Sequence, residues 1–411
     1  MRAFLLAMIV LSLLVPAHAA TASGPAPSCA YGAYRSATGD IVAVTPNLPG
    51  QPARYTELNG RRGTMTDTDA PTVCSSSAWH RVPFRRTPAT FTSKGTTLYG
   101  LLLEPIGVKK PPLIVFVHGS ERQSPLELYY QLFYTAQGVA TFFYDKRGTG
   151  RSHGTYTQDF MLLAQDAANA ARKARALAAG RFSKLGFYGG SQGGWVAPLA
   201  ALEVHADFLE VSFGCVCTAL EQDEWQVDYQ LVHEDQFPSS ILPDVHRVTD
   251  ATADVMGSNS PDFNELARIK DRYGKNAWFS KIDGQYSGDL LHADPRAAWL
   301  ENNAVHVPWH YSGLDTLRRL NIPQLWTFAQ DDSVAPSARS IARIEDLNRA
   351  EAVRSIVVFP NVDHGIRKFH IASDGKRIED DSLADGYLRL LSDFAKNAES
   401  GRYGASFSPG S

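Results

Sequence analysis

Short apolar runs, separated by segments of helical periodicity, recur along this chain of 411 residues. This pattern limits the folds that the chain can adopt. Four of the runs, PLIVFVHG, GVATFFYD, KLGFYGG and DFLEVSFGC, lie between residues 112 and 215. Two more, PQLWTFAQDD and VRSIVVFPN, begin after residue 322. The periodicity predicts helices at 157–179, at 336–349 and from Ser382 to about Asn397. Strands that are apolar on both faces are typical of a parallel sheet covered by helices. The sequence therefore predicts an α/β fold with a mostly parallel, doubly wound sheet.

The alternation is interrupted once and is flanked by segments of different composition. After residue 218 the chain is less regular and carries four of its seven tryptophans before the pattern resumes. We interpret that stretch as a mainly helical cap insertion. The predicted division is a signal peptide at residues 1–19, a small β-rich N-terminal segment at 20–85, the core at 86–218 and 316–398, the cap insertion at 219–315, and a disordered tail at 399–411.

The first residues of the chain predict export. An apolar stretch from Ala3 to Val15 precedes Ala17-His18-Ala19, which has the small-x-small form of a signal-peptidase site. The stretch is too short to span a bilayer comfortably. We expect a periplasmic or secreted protein that has no stable membrane anchor once the signal peptide is removed.

Export permits disulfides, and the chain has four cysteines. Cys29 and Cys74 bracket one stretch within the N-terminal segment, and we predict a disulfide between them. Cys215 and Cys217 lie two residues apart in SFGCVCTA, so they either form a tight local bridge or remain buried thiols. Since no second Cys/His pair with ligand spacing accompanies them, no zinc or other metal site is predicted.

The charge balance argues against one class of partner. The formal net charge is −3, and the charged residues form neither a basic stripe nor an acidic tail. Polyanions are bound by concentrated positive charge. We therefore expect no nucleic-acid partner.

A serine flanked by glycines follows the third apolar run. In KLGFYGGSQGGWVAPLA, Gly189, Ser191 and Gly193 form a G-x-S-x-G pattern between a predicted strand and a predicted helix. Such an elbow holds the serine in a strained turn at the carboxyl end of a strand, where the loops of a parallel sheet converge. Glycine- and serine-rich tracts are otherwise usually loops, but this context indicates that Ser191 is a nucleophile. The pattern offers no physical explanation for Gly190.

A neutral serine needs a base to take its proton and an acid to orient that base. FPNVDHGIRKF places His364 after the last predicted strand, and WTFAQDDSVAP places Asp332 after the preceding one. The resulting order of Ser, Asp and His is the one associated with this elbow. We therefore predict a triad of Ser191, Asp332 and His364. The alternatives are His370 as the base and Asp331 as the acid, and we interpret Asp363 as a turn residue.

An acyl-transfer site also needs N–H donors for the oxyanion. We expect them to be the backbone N–H groups of Gln192, directly after the serine, and of Ser120, in IVFVHGSERQS. His118 in that loop is predicted to orient it through a hydrogen bond. YDKRGTGRSHG follows the next strand, but no Lys-Ser/Thr pair follows its glycines, so a phosphate loop is disfavoured. We interpret it as a turn held by charged hydrogen bonds.

Taken in order, VHGSE, YDKRGTGRS, GGSQGGWVAPLA, DDSVAP and VDHG resemble the α/β-hydrolase superfamily. The resemblance covers about residues 90–218 and 316–398, and GGSQGGWVAPLAA looks most like bacterial exported esterases and aminopeptidase-like hydrolases related to prolyl oligopeptidases. It implies an α/β-hydrolase fold and a serine hydrolase without cofactor or metal, with the triad and oxyanion donors named above. Many relatives have histidine where Gly190 stands, which leaves the packing around the elbow open.

These residues support three functional hypotheses. The first is hydrolysis of a small carboxylic ester through an acyl-enzyme on Ser191. The second is an aminopeptidase or prolyl-oligopeptidase-like exopeptidase acting on short peptides, in which Glu221, Asp223 and Glu224 of ALEQDEWQ bind the substrate amino group. The third, a binding protein that kept the hydrolase fold, is disfavoured by the complete Ser, Asp and His set.

Overall fold

The computed structural model describes residues 30–47, 50–126, 128–350, 353–373 and 375–409. The predicted signal peptide and Cys29 therefore lie outside the described residues. Within the described ranges, no helix combines the length and the apolar character that a membrane span requires.

The N-terminal segment folds into a five-stranded antiparallel sheet. Its strands are β1 (Gly32–Ser36), β2 (Ile41–Thr45), β3 (Arg54–Glu57), β4 (Arg62–Thr64) and β5 (Trp79–Arg81), in the order β4-β3-β2-β1-β5. Val42, Val44 and Tyr55 form a small apolar cluster of their own. Ala33 and Ile41 instead join the core around the main sheet. The predicted small β-rich segment is confirmed, and it packs on that core.

An eight-stranded sheet forms the centre of the molecule. Its strands are β6 (Phe84–Ser93), β7 (Thr96–Pro105), β8 (Leu113–Val117), β9 (Ala140–Tyr144), β10 (Leu185–Gly190), β11 (Phe208–Ser212), β12 (Gln324–Ala329) and β13 (Arg354–Phe359). The order is β13-β12-β11-β10-β8-β9-β7-β6. The strands from β8 to β13 pair in parallel, while β7 is antiparallel to both of its neighbours, β6 and β9. The predicted apolar runs thus form the parallel part.

Helices cover both faces of this sheet. The α-helices of the described residues are α1 (Tyr129–Ala136), α2 (Phe160–Leu177), α3 (Gly193–Val204), α4 (Ala219–Tyr229), α5 (Leu242–Met256), α6 (Phe263–Tyr273), α7 (Ser287–His292), α8 (Pro295–Asn303), α9 (Leu314–Arg319), α10 (Ser337–Asn348) and α11 (Tyr387–Lys396). Val115 and Val117 of β8 point into the cluster that contains α2, α3 and α10. Ile114 and Phe116 point into the opposite cluster, which contains α1 and α11. The predicted doubly wound sheet is confirmed.

The insertion between β11 and β12 is mainly helical, as predicted. It contains α4 to α8, a π-helical turn at residues 230–234 and 3-10 turns at 239–241 and 279–281. Trp278 and Trp309 are buried in a separate core of the insertion, and Trp299 packs against it. Trp225 joins the core of the main sheet. The tryptophans therefore stabilise the insertion and its junction with the main sheet.

A three-stranded antiparallel sheet that the sequence did not predict follows β13. Its strands are β14 (Val362–Asp363), β15 (Arg367–Ile371) and β16 (Arg377–Leu383). The predicted start of the last helix at Ser382 is therefore wrong, because residues 377–383 are extended and α11 begins at Tyr387. Gly386 makes the turn between them at a φ of 84°, and the Leu383 N–H donates to the Gly60 carbonyl at 2.8 Å.

The prediction of a disordered tail is wrong for residues 399–409. Phe407 pairs with Val358 of β13 through two backbone hydrogen bonds of 2.8 and 3.0 Å. β13 is at the edge of the sheet, where backbone groups are free to pair. Tyr403 is buried, and its hydroxyl donates to a carboxylate oxygen of Asp393 at 3.1 Å.

The cysteines of SFGCVCTA are a close pair after β11. The structure joins Cys215 to Cys217, with their Cα atoms 5.3 Å apart, and both side chains are buried. The predicted bond from Cys29 to Cys74 stays a prediction, because Cys29 lies outside the described residues.

Candidate active site

Ser191 lies in the sharp turn between β10 and α3. Its φ of 52° is in the left-handed region, which costs a residue with a Cβ on the order of 1–3 kcal/mol. The Ser191 N–H donates to the Ser212 carbonyl at 3.1 Å, and the Gly194 N–H donates to the Ser191 carbonyl at 2.8 Å. These bonds hold the strained turn, and the serine follows directly from the carboxyl end of β10.

Two glycines of the predicted elbow are required by close backbone approach. A Cβ at Gly189 would collide with the carbonyl group of Gly193. A Cβ at Gly193 would in turn collide with the carbonyl oxygen of Val117, at the end of β8. The two glycines therefore let α3 start directly against the sheet, which is the reason that the pattern requires them.

Gly190, which the sequence left unexplained, makes room for an aromatic side chain. A Cβ at this position would lie 3.2 Å from the ring of Phe213 and 3.2 Å from the ring of Tyr188. Phe213 packs edge-on against the imidazole of His364, with ring centroids 5.1 Å apart. A larger residue at position 190 would therefore displace a ring that supports His364.

A chain of hydrogen bonds joins the three residues of the predicted triad. His364 Nε2 is 3.0 Å from Ser191 Oγ, and His364 Nδ1 is 3.0 and 3.1 Å from the two carboxylate oxygens of Asp332. Asp332 is 1% exposed, and its Oδ1 accepts from the N–H groups of Val334 and Ala335 at 3.0 and 2.7 Å. The loop after β12 therefore fixes the carboxylate, and the carboxylate fixes the imidazole.

Burial and the neighbouring carboxylates shift the pKa of His364 in opposite directions. Burial by itself lowers the pKa of His364, but the charge of Asp332, its hydrogen bond and the charge of Asp363 outweigh burial and raise the pKa above its ordinary value. The imidazole is therefore a stronger base than a free histidine, which suits it to take a proton from the serine hydroxyl.

The two alternatives, His370 and Asp331, lie outside this hydrogen-bond chain, and so does the carboxylate of Asp363. His370 is exposed and its Nδ1 is 2.8 Å from Asp380. Asp363 accepts from the backbone N–H groups of Ser333 and His364, both at 2.7 Å, and from Arg377 at 2.8 Å, so it supports the turn as expected. Within the described part of the chain, the carboxylate of Asp331 makes no hydrogen bond to a histidine.

The two expected oxyanion donors belong to two segments that meet at the serine. Gln192 follows it directly and is 4% exposed. A Cβ at Gly119 would lie 3.2 Å from the Ser191 Cβ, so the peptide group between Gly119 and Ser120 borders the nucleophile. The Ser120 carbonyl accepts from the Tyr156 hydroxyl at 2.6 Å. No described residue accepts a hydrogen bond from the backbone N–H of Ser120 or Gln192.

The turn after β9 is held by charged hydrogen bonds, as the sequence suggested. Asp145 accepts from the Arg151 N–H at 2.7 Å, and Arg147 forms a bidentate pair with the buried carboxylate of Asp166 at 2.6 and 2.7 Å. Lys146 between them was not predicted to reach the site. Its Nζ donates to the Gly119 carbonyl and to Oε1 of Gln192. The only signal in the sequence is a lysine two residues after the end of a buried strand.

His118 does not make the predicted hydrogen bond. Its side chain is 3% exposed, and neither ring nitrogen has a hydrogen-bond partner among the described residues. Burial, followed by the nearby charge of Lys146, lowers the pKa of His118 well below its ordinary value. A neutral imidazole 3.8 Å from Glu121 therefore packs under the loop without orienting it through a hydrogen bond.

The acids proposed to bind a substrate amino group are all engaged elsewhere. Glu221 caps α4 and pairs with Arg343. Asp223 is fully buried and accepts from two backbone N–H groups at 2.8 and 3.1 Å. Glu224 pairs with Arg339 at 3.0 Å. The expectation that they bind an amino group is not supported by these contacts.

One group of side chains within the described residues has ligand atoms close enough to hold a metal ion. It consists of Glu224, Asp228 and His246 in the insertion. Arg339 already donates to Glu224 at 3.0 Å and to Asp228 at 2.9 Å. A guanidinium therefore supplies the positive charge that these carboxylates require.

The family comparison agrees with this geometry. The family model described as serine aminopeptidase, S33, matches residues 109–368, which is more than half of the chain. The chain belongs to this family. It is therefore an α/β-hydrolase, as the sequence predicted, and a serine hydrolase of esterase or peptidase type.

Solved structures with low sequence identity are also similar to this family member. An acylaminoacyl peptidase of Pyrococcus horikoshii is 17% identical, with a TM-score of 0.45, over 79% of this chain and 44% of its own. An esterase of Pyrococcus furiosus is 12% identical, with a TM-score of 0.47, over 77% of this chain and 92% of its own. Est1E of Butyrivibrio proteoclasticus, bound to ferulic acid, is 17% identical, with a TM-score of 0.41, over 75% of this chain and 96% of its own.

The chain thus spans less than half the length of the acylaminoacyl peptidase. No curated protein matches it by sequence.

Proposed function

We propose that this protein hydrolyses small carboxylic esters through an acyl-enzyme on Ser191, with His364 as general base and Asp332 as the acid that orients it. The observation that carries the proposal is the hydrogen-bond chain from Ser191 Oγ through His364 to Asp332, with distances of 3.0 Å on both sides of the imidazole. The strained turn at Ser191 and the free N–H groups beside it complete the arrangement that acyl transfer needs.

In the acylation step, Ser191 Oγ attacks the ester carbonyl carbon while its proton moves to His364 Nε2. The C=O electron pair moves onto the carbonyl oxygen, and the N–H groups of Gln192 and Ser120 donate to the resulting oxyanion. The oxyanion then reforms the carbonyl, the bond to the alcohol oxygen breaks, and His364 gives its proton to the leaving alcohol. The acyl group is now bonded to Ser191 Oγ.

Deacylation repeats these steps with water as the nucleophile. His364 takes a proton from water, and the water oxygen attacks the acyl carbon. A second oxyanion forms at the same donors, after which the bond to Ser191 Oγ breaks and the serine recovers its proton from His364. The products are a carboxylic acid and an alcohol.

The raised pKa of His364 sets the acid limb of the activity profile. The base must be neutral in the free enzyme, so kcat/KM for an uncharged ester is expected to fall as the pH drops through the His364 pKa. Because that pKa lies above 6.5, the midpoint of the limb should also lie above this value. The measurement is kcat/KM for p-nitrophenyl acetate as a function of pH, and a midpoint at or below 6.5 would contradict the assigned electrostatics.

A second substrate class is favoured by one carboxylate near the nucleophile. The side chain of Glu121 is 54% exposed, and its carboxylate and the Ser191 Cβ border the same space beside Gly119. Within the described residues, the nearest ion-pair contact of this carboxylate is His118 Nδ1 at 3.8 Å. The pKa of His118 is lowered by burial, so its ring is neutral and does not neutralise the carboxylate. We infer that Glu121 binds the amino group of aminoacyl substrates, so that short peptides and aminoacyl esters are the second candidate class.

The replacement Glu121→Gln tests this role with two matched esters. The alanine p-nitrophenyl ester carries an ammonium group that p-nitrophenyl propionate lacks. Because a charged hydrogen bond contributes about 1.5–3 kcal/mol, kcat/KM for the alanine ester should fall by about 10- to 100-fold, while the value for the propionate stays near that of the wild type. An equal change for both esters would contradict the role.

Glu224→Gln is the matched control for this experiment. Glu224 is the acid that the sequence had suggested, and its carboxylate is paired with Arg339. We expect the selectivity between the two esters to stay at the wild-type value in this variant. If selectivity is lost in Glu224→Gln and kept in Glu121→Gln, the substrate amino group is bound by Glu224 of the insertion and not by Glu121.

The choice between esterase and exopeptidase is tested by a substrate panel. We expect turnover of p-nitrophenyl esters of short acyl chains at rates well above those of the corresponding aminoacyl p-nitroanilides. Cleavage of the anilides with negligible ester turnover would overturn the esterase proposal and leave the exopeptidase. Ser191→Ala run beside the wild type assigns each activity to this site.

We also propose that the protein is exported, on the basis of its N-terminal sequence. The apolar stretch and the Ala17-His18-Ala19 site support removal of residues 1–19. N-terminal sequencing of the protein from the periplasm or medium of the producing cell should find Ala20 first. A protein that keeps Met1 and stays with the cytosol would contradict export.

A further inference from the structure

Lys146 carries a buried charge whose acceptors both belong to the candidate active site. It is 1% exposed and lies in the turn directly after β9. Its Nζ donates to the carbonyl oxygen of Gly119 and to Oε1 of Gln192, the latter at 2.9 Å. A buried charge is unfavourable unless hydrogen bonds compensate it. The two acceptors therefore hold the ammonium group, and the ammonium group holds them.

Both acceptors are joined covalently to the expected oxyanion donors. The Gly119 carbonyl is part of the same planar peptide unit as the Ser120 N–H. Gln192 carries the second N–H, and its side chain is held on its other side by Gln158, which accepts from Nε2 at 2.9 Å. One ammonium group thus connects the loop after β8 with the elbow after β10.

We propose that Lys146 is a positioning residue for the oxyanion, because it fixes and polarises the Gly119–Ser120 peptide unit and fixes Gln192 relative to it. The proposal rests on the proposed function of Ser191. A charged hydrogen bond to a carbonyl oxygen withdraws electron density from the amide, which makes the N–H of that amide a stronger donor. Lys146 keeps its proton through both steps, and no bond to it forms or breaks.

The position of this peptide unit makes the effect specific to the transition state. A Cβ at Gly119 would lie 3.2 Å from the Ser191 Cβ, so the loop that contains the unit lies beside the side chain that attacks the substrate. Negative charge on the substrate oxygen develops only after attack, and donors aimed at that charge lower the barrier more than they improve substrate binding. Loss of Lys146 should therefore lower kcat and leave KM nearly unchanged.

The charges around Lys146 define the pH range in which it acts. Burial lowers its pKa to about 8, although Glu121 and Asp166 favour the charged form. The other titratable groups of the surrounding loops include Asp145, Arg147, Arg151, His118, Arg122 and Tyr156. The ammonium is present below about pH 8 and is lost as the pH rises through that value. We expect kcat to fall in the same range.

The test replaces Lys146 by methionine, which has a similar length and no charge. With p-nitrophenyl acetate, Lys146→Met should lower kcat by about 10- to 100-fold, somewhat less than the loss of a whole oxyanion donor. The affinity for trifluoroacetone, a ketone that forms an oxyanion adduct with a nucleophilic serine, should fall in parallel. The decline of kcat above about pH 8 should disappear in the variant.

Lys184→Met is the matched control. Lys184 is a partly buried lysine at the start of β10, where its Nζ donates to Asn397 and lies 4.7 Å from the centroid of the Phe208 ring. That end of the sheet is opposite the serine turn. We expect kcat and trifluoroacetone affinity at wild-type values in this variant, although it also removes a lysine with a lowered pKa.

Gln192→Met provides a second route if Lys146→Met does not fold. It keeps the backbone N–H of residue 192 and removes only the side-chain acceptor of Lys146. For this variant we expect a smaller fall in kcat and an unchanged KM. For the wild type we expect kcat to decline as the pH rises through about 8.

Wild-type kcat and ketone affinity in a folded Lys146→Met or Gln192→Met variant would overturn this proposal alone. A wild-type protein that is inert toward esters and unreactive at Ser191 would overturn the proposed function and this proposal together.

Discussion

Replacement of Ser191 by alanine is expected to lower kcat for ester hydrolysis by about 10⁶-fold, the loss typical of removing the nucleophile of a serine hydrolase. The hydroxyl oxygen is the atom that bonds to the substrate, and no other side chain occupies its position 3.0 Å from His364 Nε2 among the described residues. KM should change far less, because the residues around the serine and the oxyanion donors are retained. The measurement is kcat and KM for p-nitrophenyl acetate.

The control for this variant is the exposed Ser239→Ala in the insertion, which should keep wild-type activity. The strained turn at position 191, with a φ of 52°, is held by backbone hydrogen bonds that alanine also makes, so we expect alanine to adopt the same turn. The circular dichroism spectrum and the melting temperature should therefore match those of the wild type. A folded Ser191→Ala variant that retains full activity would place the chemistry elsewhere.

The second large effect is expected for Asp332→Asn, which should lower kcat by about 10⁴-fold. The carboxylate lies 3.0 Å from His364 Nδ1, and an amide in its place removes the charge that stabilises the imidazolium and permits the wrong tautomer. The pKa of His364 should fall as well, because burial then acts without the opposing charge of Asp332. The acid limb of kcat/KM is therefore expected to move to lower pH together with the loss of rate.

Asp331→Asn is the matched control, because it changes the neighbouring acid of the same loop. The carboxylate of Asp331 makes no described hydrogen bond to His364, so we expect the rate and the acid limb to stay near the wild type. The reverse pattern, with a large loss in Asp331→Asn and a small one in Asp332→Asn, would contradict the assignment of the acid.

The elements that were predicted correctly share one property, which is that local sequence determines them. Val115 and Val117 alternate with Ile114 and Phe116 in a run that is apolar on both faces, and only a sheet covered on both sides buries such a run. The elbow is also recognised from a local pattern of glycines around a serine, although the backbone atom that requires Gly193, the Val117 carbonyl oxygen, belongs to another strand.

What the sequence did not predict depends on contacts between distant segments. Lys146 reaches Gly119 and Gln192 from the turn after β9, and nothing within that segment indicates its partners. The sheet of β14 to β16 consists of polar alternating strands, and residues 377–383 were mistaken for the start of a helix. The tail has few apolar residues, yet Phe407 is ordered by pairing with Val358 at the sheet edge.

Covalent labelling tests the central claim most directly. Wild-type protein treated with a fluorophosphonate and digested should yield a single modified peptide, with the phosphonyl group on Ser191. Labelling should be lost in Ser191→Ala and should slow strongly in His364→Ala, because the base no longer takes the serine proton. A folded, wild-type protein that stays unlabelled, or that carries the label on another residue, would contradict the assignment of Ser191 as the nucleophile.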